Sequence, residues 1–347
     1  MKKKKILVTG GAGFIGGNFV QFMDRKYPEY DLYNLDALTY AGDLTKHHMI
    51  EMKDNYHFIK ANIVDYDVVL SLFEKEQFDY VVHFAAESHV DRSITDPGIF
   101  VQTNVLGTQV LLEAARRVEL TKFVHISTDE VYGELDFDPT TFFSEETPLQ
   151  PNSPYSASKA SSDLLVRAYH ETYGLPVNIT RCSNNYGPYH FPEKLIPLTI
   201  SRALNDVKVP IYGDGQNIRD WLHVFDHCAA IDLVLHKGVN GEVYNVGGNN
   251  ERTNLEVVKT IIQALGKSEE LIEFVEDRLG HDKRYAIDST KLKQLGWNPS
   301  YTFETGMIQT IHWYIKHEEW WQHIISKQYQ SSFNLIQQKS PTSISGR

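Results

Sequence analysis

The sequence predicts an α/β protein with a doubly wound parallel sheet and a smaller C-terminal lobe. In the first half of the chain, short apolar runs alternate with segments of helical period, which is typical of parallel strands covered by helices on both faces. After about residue 181 the alternation breaks into shorter pieces interrupted by glycine and proline, as in Gly213-Asp214-Gly215. The 347 residues are enough for about two domains.

The elements of the first half follow one another in a regular order. Strands are predicted near Lys5–Thr9, Leu32–Asp36, His57–Lys60, Tyr80–Phe84, Lys122–Ser127 and Val177–Arg181. Helices are predicted near Gly13–Lys26, Asp67–Glu76, Pro97–Val118 and Tyr155–Tyr173. The third helix starts with Asp96-Pro97, a capping carboxylate before a proline at the first helical position.

Charge and hydropathy exclude several classes of protein. The chain has 34 Lys and Arg against 45 Asp and Glu, a net charge of −11, which argues against nucleic acid as a partner. No apolar stretch approaches the ~18 residues of a membrane helix, so we expect no membrane partner. The N-terminal apolar run Ile6–Val8 is too short for an export signal. We therefore expect a cytoplasmic protein.

The cysteine and histidine spacings predict neither redox nor metal chemistry. The cysteines, Cys182 and Cys228, form no C-x-x-C pair, which is consistent with a reducing cytoplasm. His223 and His227 have the i, i+4 spacing of a zinc-binding helix, but Val224 stands where that motif requires glutamate. We expect no metal.

A glycine-rich turn follows the first predicted strand. The segment Gly10–Gly16 contains G-x-G-x-x-G, in which glycine permits a tight turn and a close approach of the backbone to a pyrophosphate. Alone, the motif also fits a structural turn. Asp36 ends the second strand 20 residues after Gly16, where a carboxylate can bind an adenosine ribose and repel a 2′-phosphate. Together these features predict a Rossmann-type site for NAD.

A tyrosine and a lysine share one helix face. Tyr155 and Lys159 have i, i+4 spacing at the start of a predicted helix. A nearby ammonium stabilises a phenolate, so the pKa of Tyr155 should fall and the phenol could take a proton from a sugar hydroxyl. Ser127 or Thr128 would supply a partner hydroxyl. A surface pair has the same spacing, and only the dinucleotide motif favours the catalytic interpretation.

With these residues the chain resembles the extended short-chain dehydrogenase/reductase family. The segment Ser127–Gly133 adds two adjacent acids, Asp129 and Glu130, which could also be solvated loop acids. A dehydratase needs both, one to remove a proton and one to protonate a leaving hydroxyl. Further segments resemble nucleoside-diphosphate-sugar 4,6-dehydratases, those acting on dTDP-glucose most closely: Ala85–Ser93, Cys182–Pro197, Ile218–Leu222 and Gly280–Asp288. The resemblance extends from residue 5 to about residue 320.

The resemblance implies a dehydration through a transient 4-keto sugar. The product would be dTDP-4-keto-6-deoxyglucose, formed by C4 oxidation, elimination across C5 and C6, and hydride return to C6. The implied catalytic residues are Thr128, Asp129, Glu130, Tyr155 and Lys159. Tyr155 would take the O4 proton, Glu130 the C5 proton, and Asp129 would protonate O6. The division of roles between the two acids comes from the family.

The glycine motif and the resemblance together imply the binding residues. NAD contacts are expected at Gly10, Gly13, Phe14, Ile15, Gly16, Asp36, Ala37, Leu38, Thr39, Asn62, Ile63, Phe84, Ala85, Ala86, Ser88, Thr103, Tyr155, Lys159 and Asn185. Substrate contacts are expected at Ser88, Thr128, Asn184, Lys194, Leu195, Pro210, Ile211, Tyr212, Arg219, Asn254, Asp277, Arg278 and His281. Lys194, Arg219 and Arg278 are the kind of cationic donor that a buried diphosphate requires.

Two positions depart from the family pattern. Position 37 is alanine, where the family often has lysine, and position 62 is asparagine, where an acid facing the adenine is usual. Asparagine can both accept and donate hydrogen bonds. We expect NAD binding to be retained but weaker, with partial loss of cofactor during purification.

The resemblance also implies the domain division and a partner. Residues 1–181 would bind NAD, with about 218–248 returning to that domain; 182–327 would mainly bind substrate, and 328–347 would be a mobile tail. A homodimer would form from helices around 97–118 and 155–173, packed as a four-helix bundle. The apolar residues of these helices could instead face only the chain's own sheet.

Other functions remain open at this stage. The same framework could dehydrate UDP-N-acetylglucosamine or UDP-glucose, and less readily serve a 4-epimerase or a decarboxylase. A noncatalytic NAD-sensing protein is the alternative of another class, although binding alone needs none of the five catalytic side chains. Supply of rhamnose-type sugars for polysaccharide is inferred from the product alone.

Overall fold

The computed structural model describes residues 3–326. Its strands are β1 (Lys5–Thr9), β2 (Asp31–Asp36), β3 (Tyr56–Lys60), β4 (Tyr80–His83), β5 (Lys122–Thr128), β6 (Val177–Cys182), β7 (Asn184–Tyr186), β8 (Val209–Tyr212), β9 (Ile218–His223), β10 (Val243–Val246), β11 (Glu251–Thr253) and β12 (Ile272–Val275). Its helices are α1 (Phe14–Lys26), α2 (Tyr66–Glu76), α3 (Val90–Thr95), α4 (Pro97–Phe100), α5 (Gly107–Ala115), α6 (Pro154–Tyr173), α7 (Leu195–Leu204), α8 (Val224–Lys237), α9 (Asn254–Ala264), α10 (Thr290–Gln294) and α11 (Phe303–Lys316). The predicted mobile tail lies outside the described residues.

A seven-stranded parallel sheet forms the centre of the molecule. Its order is β10-β6-β5-β4-β1-β2-β3, and each neighbouring pair is parallel. The apolar run Ile6–Val8 of β1 is fully buried, as expected for a strand covered on both faces. The predicted Rossmann-type α/β fold is confirmed, and each of the six predicted strands lies within a residue or so of its observed bounds.

Helices cover both faces of this sheet. On one face Phe19 and Met23 of α1 pack in a common apolar cluster with Ile231 of α8. On the other face, α2, α5 and α6 contribute a second cluster that includes Phe73 and Leu111. The two clusters bury both sides of the sheet and fix the carboxyl ends of its strands at one edge.

The predicted helix over Pro97–Val118 is not continuous. The chain forms α4, then a π-helical segment, Val101–Leu106, and then α5. The prediction for Asp96 was also wrong, because its carboxylate makes no capping hydrogen bond. Asp96 instead ends α3, where its N–H donates to the Arg92 carbonyl, so its backbone is already committed to the preceding helix.

The C-terminal lobe has small sheets of its own. One sheet has the order β11-β9-β7, and another pairs β12 with β8. Its apolar core includes Ile196 of α7, Val257 of α9 and Ile311 of α11. By contrast, β10 pairs with β6 of the central sheet, and α8 packs on α1. No helix within residues 3–326 is both long enough and apolar enough to cross a membrane.

Candidate active site

A cavity of about 430 Å³ lies at the carboxyl edge of the central sheet. The strand order reverses between β1 and β4, since the chain adds β2 and β3 on one side of β1 before crossing to the other. Ligands of open α/β sheets bind at such a point. Gly10 after β1 and Phe84 after β4 both line the cavity.

The glycine turn is packed too tightly for any other residue at two positions. Gly10 has φ +73°, and a Cβ there would lie 2.6 Å from the backbone nitrogen of Ala85. A Cβ on Gly16 would lie 2.3 Å from the Gly10 carbonyl oxygen. Helix α1 therefore starts directly against the cavity, and its first amide groups have no partner inside the helix. Such amides bind anions.

Asp36 is held at the end of β2 by two backbone amides. Its Oδ2 accepts a hydrogen bond from the Ala12 N–H at 2.9 Å and its Oδ1 accepts one from the Leu38 N–H at 2.8 Å. Burial raises the pKa of the carboxyl, and these hydrogen bonds oppose that effect. Asp36 lines the cavity, so its carboxylate is fixed where the sequence places a ribose-binding acid.

The structure brings nearly all predicted cofactor residues to the cavity. Leu38 is the exception among them, since it does not line the cavity. Its φ of +54° turns the chain, and its N–H instead fixes Asp36. The residues that line the cavity are Gly10, Gly13, Phe14, Ile15, Gly16, Asp36, Ala37, Thr39, Asn62, Ile63, Phe84, Ala85, Ala86, Ser88, Thr103, Tyr155, Lys159 and Asn185.

Tyr155 and Lys159 lie on the first turns of α6, but they do not interact as expected. The Lys159 ammonium donates to the Ile126 carbonyl oxygen at 2.7 Å, and burial lowers its pKa to about 8. The pKa of Tyr155 lies well above its usual range because of burial and the nearby Glu130 carboxyl, although a hydrogen bond with Thr128 opposes the shift. The prediction that Lys159 lowers the pKa of Tyr155 was therefore wrong for the protein alone.

The adjacent acids lie on a short turn, Asp129–Tyr132, directly after β5. Burial and the Glu130 charge raise the pKa of Asp129 well above its usual range. Burial also raises the pKa of Glu130, but Arg278, Arg219 and Lys194 oppose this increase. Asp129 is thus favoured in its protonated form, and Glu130 is the member of the pair more readily ionised. Asp129 is buried and Glu130 is partly buried, so neither acid is a fully solvated loop residue.

Three basic side chains from the C-terminal half surround Glu130. Lys194 occupies the position before α7, and its ammonium donates to the Ser88 carbonyl oxygen at 3.3 Å. The Arg219 guanidinium lies over the Tyr285 ring at 4.3 Å, and Arg278 lies 3.4 Å from Asp91. A cationic group thus lies next to the acid pair, with Lys194 in the cavity lining and the two arginines outside it.

The structure divides the predicted substrate residues into two groups. Ser88, Thr128, Asn184, Lys194 and Leu195 line the cavity. The others lie outside the cavity lining, and in the C-terminal lobe: Pro210, Ile211, Tyr212, Arg219, Asn254, Asp277, Arg278 and His281. Tyr212 and Arg278 both approach Asp91 at 3.4 Å, and His281 lies 2.6 Å from Asp277. These contacts join this second group to α3 beside the cavity.

Several lining residues were not predicted from the sequence. Lys46 and Tyr40 reach the cavity from the loop after β2, and His190 stacks on Phe14 with ring centroids 4.3 Å apart. Trp320 comes from the far end of the chain, and its indole N–H donates to Asp43 at 2.8 Å. The spacing of these residues gives no signal, because loops bring them together.

Comparison with known proteins agrees with this geometry. A family model described as GDP-mannose 4,6 dehydratase matches residues 7–310. The chain belongs to this family. The dTDP-glucose 4,6-dehydratase of Xanthomonas campestris pv. campestris (strain B100) is 55% identical over 342 residues, which cover 93% of this chain and 96% of the relative. The predicted resemblance to nucleotide-sugar 4,6-dehydratases is confirmed.

Solved structures of similar proteins extend the comparison. The dTDP-glucose 4,6-dehydratase of Bacillus anthracis str. Ames in complex with NAD superimposes with a TM-score of 0.86 at 53% identity, over 92% of this chain and 99% of that one. The enzyme of the same name from Streptomyces venezuelae, with NAD and TYD bound, gives a TM-score of 0.89 at 46% identity, over 92% and 99%.

The residues that line the cavity fit a dinucleotide. The glycine turn leaves no room for a side chain, and Asp36 stands at the end of β2. The buried oxygens Asp129 Oδ2 and Asn184 Oδ1 have no hydrogen-bond partner among the described residues. Buried polar atoms without partners are rare in proteins, so these oxygens indicate a polar ligand.

Proposed function

We propose that the chain is an NAD-dependent hydro-lyase that converts dTDP-glucose to dTDP-4-keto-6-deoxyglucose and water. The observation that carries the proposal is the pair of a buried Asp129 and a partly buried Glu130, which lies with Tyr155 in one cavity beside a dinucleotide-binding turn. Relatives that are 55% and 53% identical in sequence bear the name dTDP-glucose 4,6-dehydratase. This supports dTDP-glucose as the substrate of this chain.

NAD is the cofactor of the proposed reaction. The amides at the start of α1 would hold its pyrophosphate, and Asp36 would hold its adenosine ribose. When bound, NAD⁺ supplies a hydride acceptor that can later return the hydride, and it brings a positively charged ring. That charge matters to Tyr155, because the protein's own groups keep the phenol protonated.

Oxidation at C4 comes first because a C4 ketone acidifies the neighbouring C5–H. Tyr155 takes the O4 proton, and the Thr128 hydroxyl, which is hydrogen-bonded to the phenol, stabilises the phenolate that forms. Lys159 fixes the start of α6 against β5 through the Ile126 carbonyl. This contact supports a role for Lys159 in positioning the helix that carries Tyr155.

Elimination uses the two acids in opposite forms. Glu130 removes the C5 proton, and Asp129 protonates O6 as water leaves. The raised pKa of Asp129 keeps a proton available for this step. Since the two carboxyl groups are adjacent, they titrate as a coupled pair. The hydride removed from C4 then returns to C6 and a proton returns to C5, so the carbonyl stays at C4 and no net oxidation or reduction occurs.

The cationic group beside the cavity would bind the nucleotide diphosphate. Lys194, Arg219 and Arg278 all act on the Glu130 carboxyl, so a diphosphate held there places its sugar near the acid pair. Guanidinium groups suit this task because they bind phosphate oxygens in a bidentate way. A UDP-sugar dehydratase would use the same groups, whereas a 4-epimerase needs no acid for a leaving hydroxyl.

The division of labour between the lobes is part of the proposal. Residues 1–181, with parts of 218–248, form the NAD-binding side, and 182–327 form most of the substrate side. The pairing of β10 with β6 supports the return of the later segment. We also infer a homodimer from the family resemblance and a cytoplasmic location, which agrees with the free buried cysteines. A supply of rhamnose-type sugars is inferred from the product.

A side-by-side assay tests the proposal. The chain, loaded with NAD, is mixed with dTDP-glucose, UDP-glucose, CDP-glucose or UDP-N-acetylglucosamine, and products are identified by nuclear magnetic resonance. We expect a 4-keto-6-deoxy product from dTDP-glucose at the highest kcat/KM. An unchanged substrate in every mixture would indicate an NAD-sensing protein, and a higher rate with a UDP-sugar would reassign the substrate.

A further inference from the structure

Lys46 is a buried lysine at the glycine turn. It lies in a short 3₁₀ turn, Thr45–His47, in the loop after β2, and its exposed fraction is 3%. Its ammonium donates to the Ala12 carbonyl oxygen at 2.9 Å and to the Gly13 carbonyl oxygen at 2.7 Å. Lys46 therefore bonds directly to the turn that precedes α1, and it also lines the cavity.

The start of α1 is shaped to admit this side chain. A Cβ on Gly17 would lie 2.4 Å from Cδ of Lys46, so a larger residue at position 17 would displace the lysine. Within residues 3–326, no carboxylate lies within 4.0 Å of the Lys46 ammonium, the distance of an ion pair. The carboxylate oxygens of Asp36 accept hydrogen bonds from the backbone N–H groups of Ala12 and Leu38. The Asp43 carboxylate accepts hydrogen bonds from the Thr45 hydroxyl and the Trp320 indole N–H.

A buried ammonium without an ion pair is costly to maintain. The Lys46 ammonium instead acts on peptide groups just before the start of α1. In a trans peptide, the N–H points away from the C=O of the same unit. The ammonium on the Gly13 carbonyl therefore polarises the Phe14 N–H, which is the first amide of α1 and has no partner within the helix. A stronger N–H donor binds an anion more tightly.

We propose that Lys46 is a positioning residue for the cofactor: it fixes the glycine turn and supplies the positive charge that strengthens pyrophosphate binding by the start of α1. The inference rests on the proposed function, since it assumes that the chain binds NAD. Position 37, after β2, is alanine, and Lys46, from the loop after β2, places an ammonium at the cavity.

Replacement of the charge tests the proposal. K46M keeps most of the side-chain length, and NAD binding is followed by quenching of tryptophan fluorescence. We expect the Kd for NAD to rise about tenfold or more, with a native circular dichroism spectrum. The matched control is K75M, because Lys75 is exposed and pairs with Glu76. Its Kd for NAD should equal that of the unaltered chain.

The outcomes separate this inference from the proposed function. If the unaltered chain binds NAD and K46M binds it equally well, the role of Lys46 is overturned while the proposed function stands. If the unaltered chain binds no NAD, the proposed function itself fails. The pH dependence below decides the matter if K46M does not fold.

The second measurement uses a chain that retains Lys46. The other lysines that line the cavity, Lys159 and Lys194, are changed together in K159M/K194M, and the Kd for NAD is measured from about pH 7 to about pH 9.5. Burial lowers the pKa of Lys46 to about 8. As the pH rises through and above this value, Lys46 loses its charge, so we expect the Kd to rise about tenfold.

The groups that face Lys46 do not change charge in that range. Both oxygens of Asp36 accept amide hydrogen bonds, and the pKa of Asp43 is lowered by its hydrogen bonds from Thr45 and Trp320. Burial lowers the pKa of His47 to about 4, and burial raises that of Tyr189 above its usual range. A flat pH profile in K159M/K194M would therefore contradict the inference.

Discussion

At the scale of single residues, burial and charge separate two adjacent carboxyl groups. Asp129 is 1% exposed, and the pKa of its carboxyl is raised by burial and by the neighbouring Glu130. Glu130 also faces the cations Lys194, Arg219 and Arg278. The sequence shows that the two acids are adjacent, but their different environments come from residues more than 60 positions away.

Removal of either acid should block the elimination and spare the oxidation. We expect D129N and E130Q to bind NAD normally, to oxidise C4, and to lose at least about 100-fold in product formation. Stopped-flow absorbance of NADH reports oxidation, and nuclear magnetic resonance reports product. D138N is the control, since Asp138 is exposed. Product formation at the wild-type rate in both variants would refute the assignment of the pair.

The cations should set the pH at which Glu130 becomes a base. Arg278 opposes the burial effect on Glu130, so its loss in R278M should raise the pKa of that carboxyl. Because Glu130 must be ionised, the acid limb of the kcat profile should move to higher pH. R252M provides a control, since Arg252 pairs with Glu304 on the surface. An acid limb that stays in place, or moves to lower pH, would contradict this role of Arg278.

At the scale of elements, the start of α6 fixes the position of Tyr155. Ser153 caps this helix, and its side chain and that of Ser156 bond reciprocally to each other's backbone N–H groups. Pro154 occupies the first turn. The sequence predicted this helix within one residue, because its apolar period and its start signals are local. The position of the phenol depends on that cap.

Loss of the cap should affect catalysis as well as stability. S153A should lower the free energy of unfolding by about 1 kcal/mol and kcat by about tenfold, because Tyr155 shifts. T302A is a matched control, since Thr302 forms the same kind of capping box on α11. It should lose similar stability in urea unfolding and keep its kcat. Equal kcat values for both variants would show that the cap does not position Tyr155.

Elements whose shape depends on distant contacts could not be predicted. The six predicted strands, β1 to β6, follow from apolar runs, and the sequence located them well. The π-helical segment Val101–Leu106 instead contains Asn104, which is 1% exposed and bonds to the Glu87 backbone and to Ser158. The apolar periodicity of this segment gives no information about these partners. The same reason explains why Lys46 and Trp320 were missed at the cavity.

At the scale of the whole molecule, an apolar surface remains on the helices that were predicted to form a dimer. Val110 and Leu111 of α5 are buried against the central sheet, as the alternative interpretation allows. However, Leu164 of α6 is 57% exposed, and Val101 and Leu106 of the π-helical segment, which packs on α6, are exposed as well. Exposed apolar patches of this kind mark interfaces.

A charge on this surface should therefore dissociate the inferred homodimer. We expect the unaltered chain to have the mass of a dimer in light scattering and L164E to have that of a monomer, because an unpaired carboxylate cannot be buried in an apolar interface. I308E is the control, since Ile308 is 54% exposed and lies on α11, which packs with α7 and α9 of the C-terminal lobe. A monomeric wild-type chain, or a dimeric L164E, would contradict this interface.

The molecule as a whole brings the proposed NAD-binding edge of the central sheet next to a cationic surface from the second lobe. The central claim is that one sugar molecule is first oxidised and then reduced without leaving the site. Deuterium placed on C4 of dTDP-glucose tests this claim most directly. We predict that nuclear magnetic resonance of the product will show that deuterium on C6, without exchange into water. Deuterium that is lost to solvent, or that remains on C4, would contradict the proposed reaction.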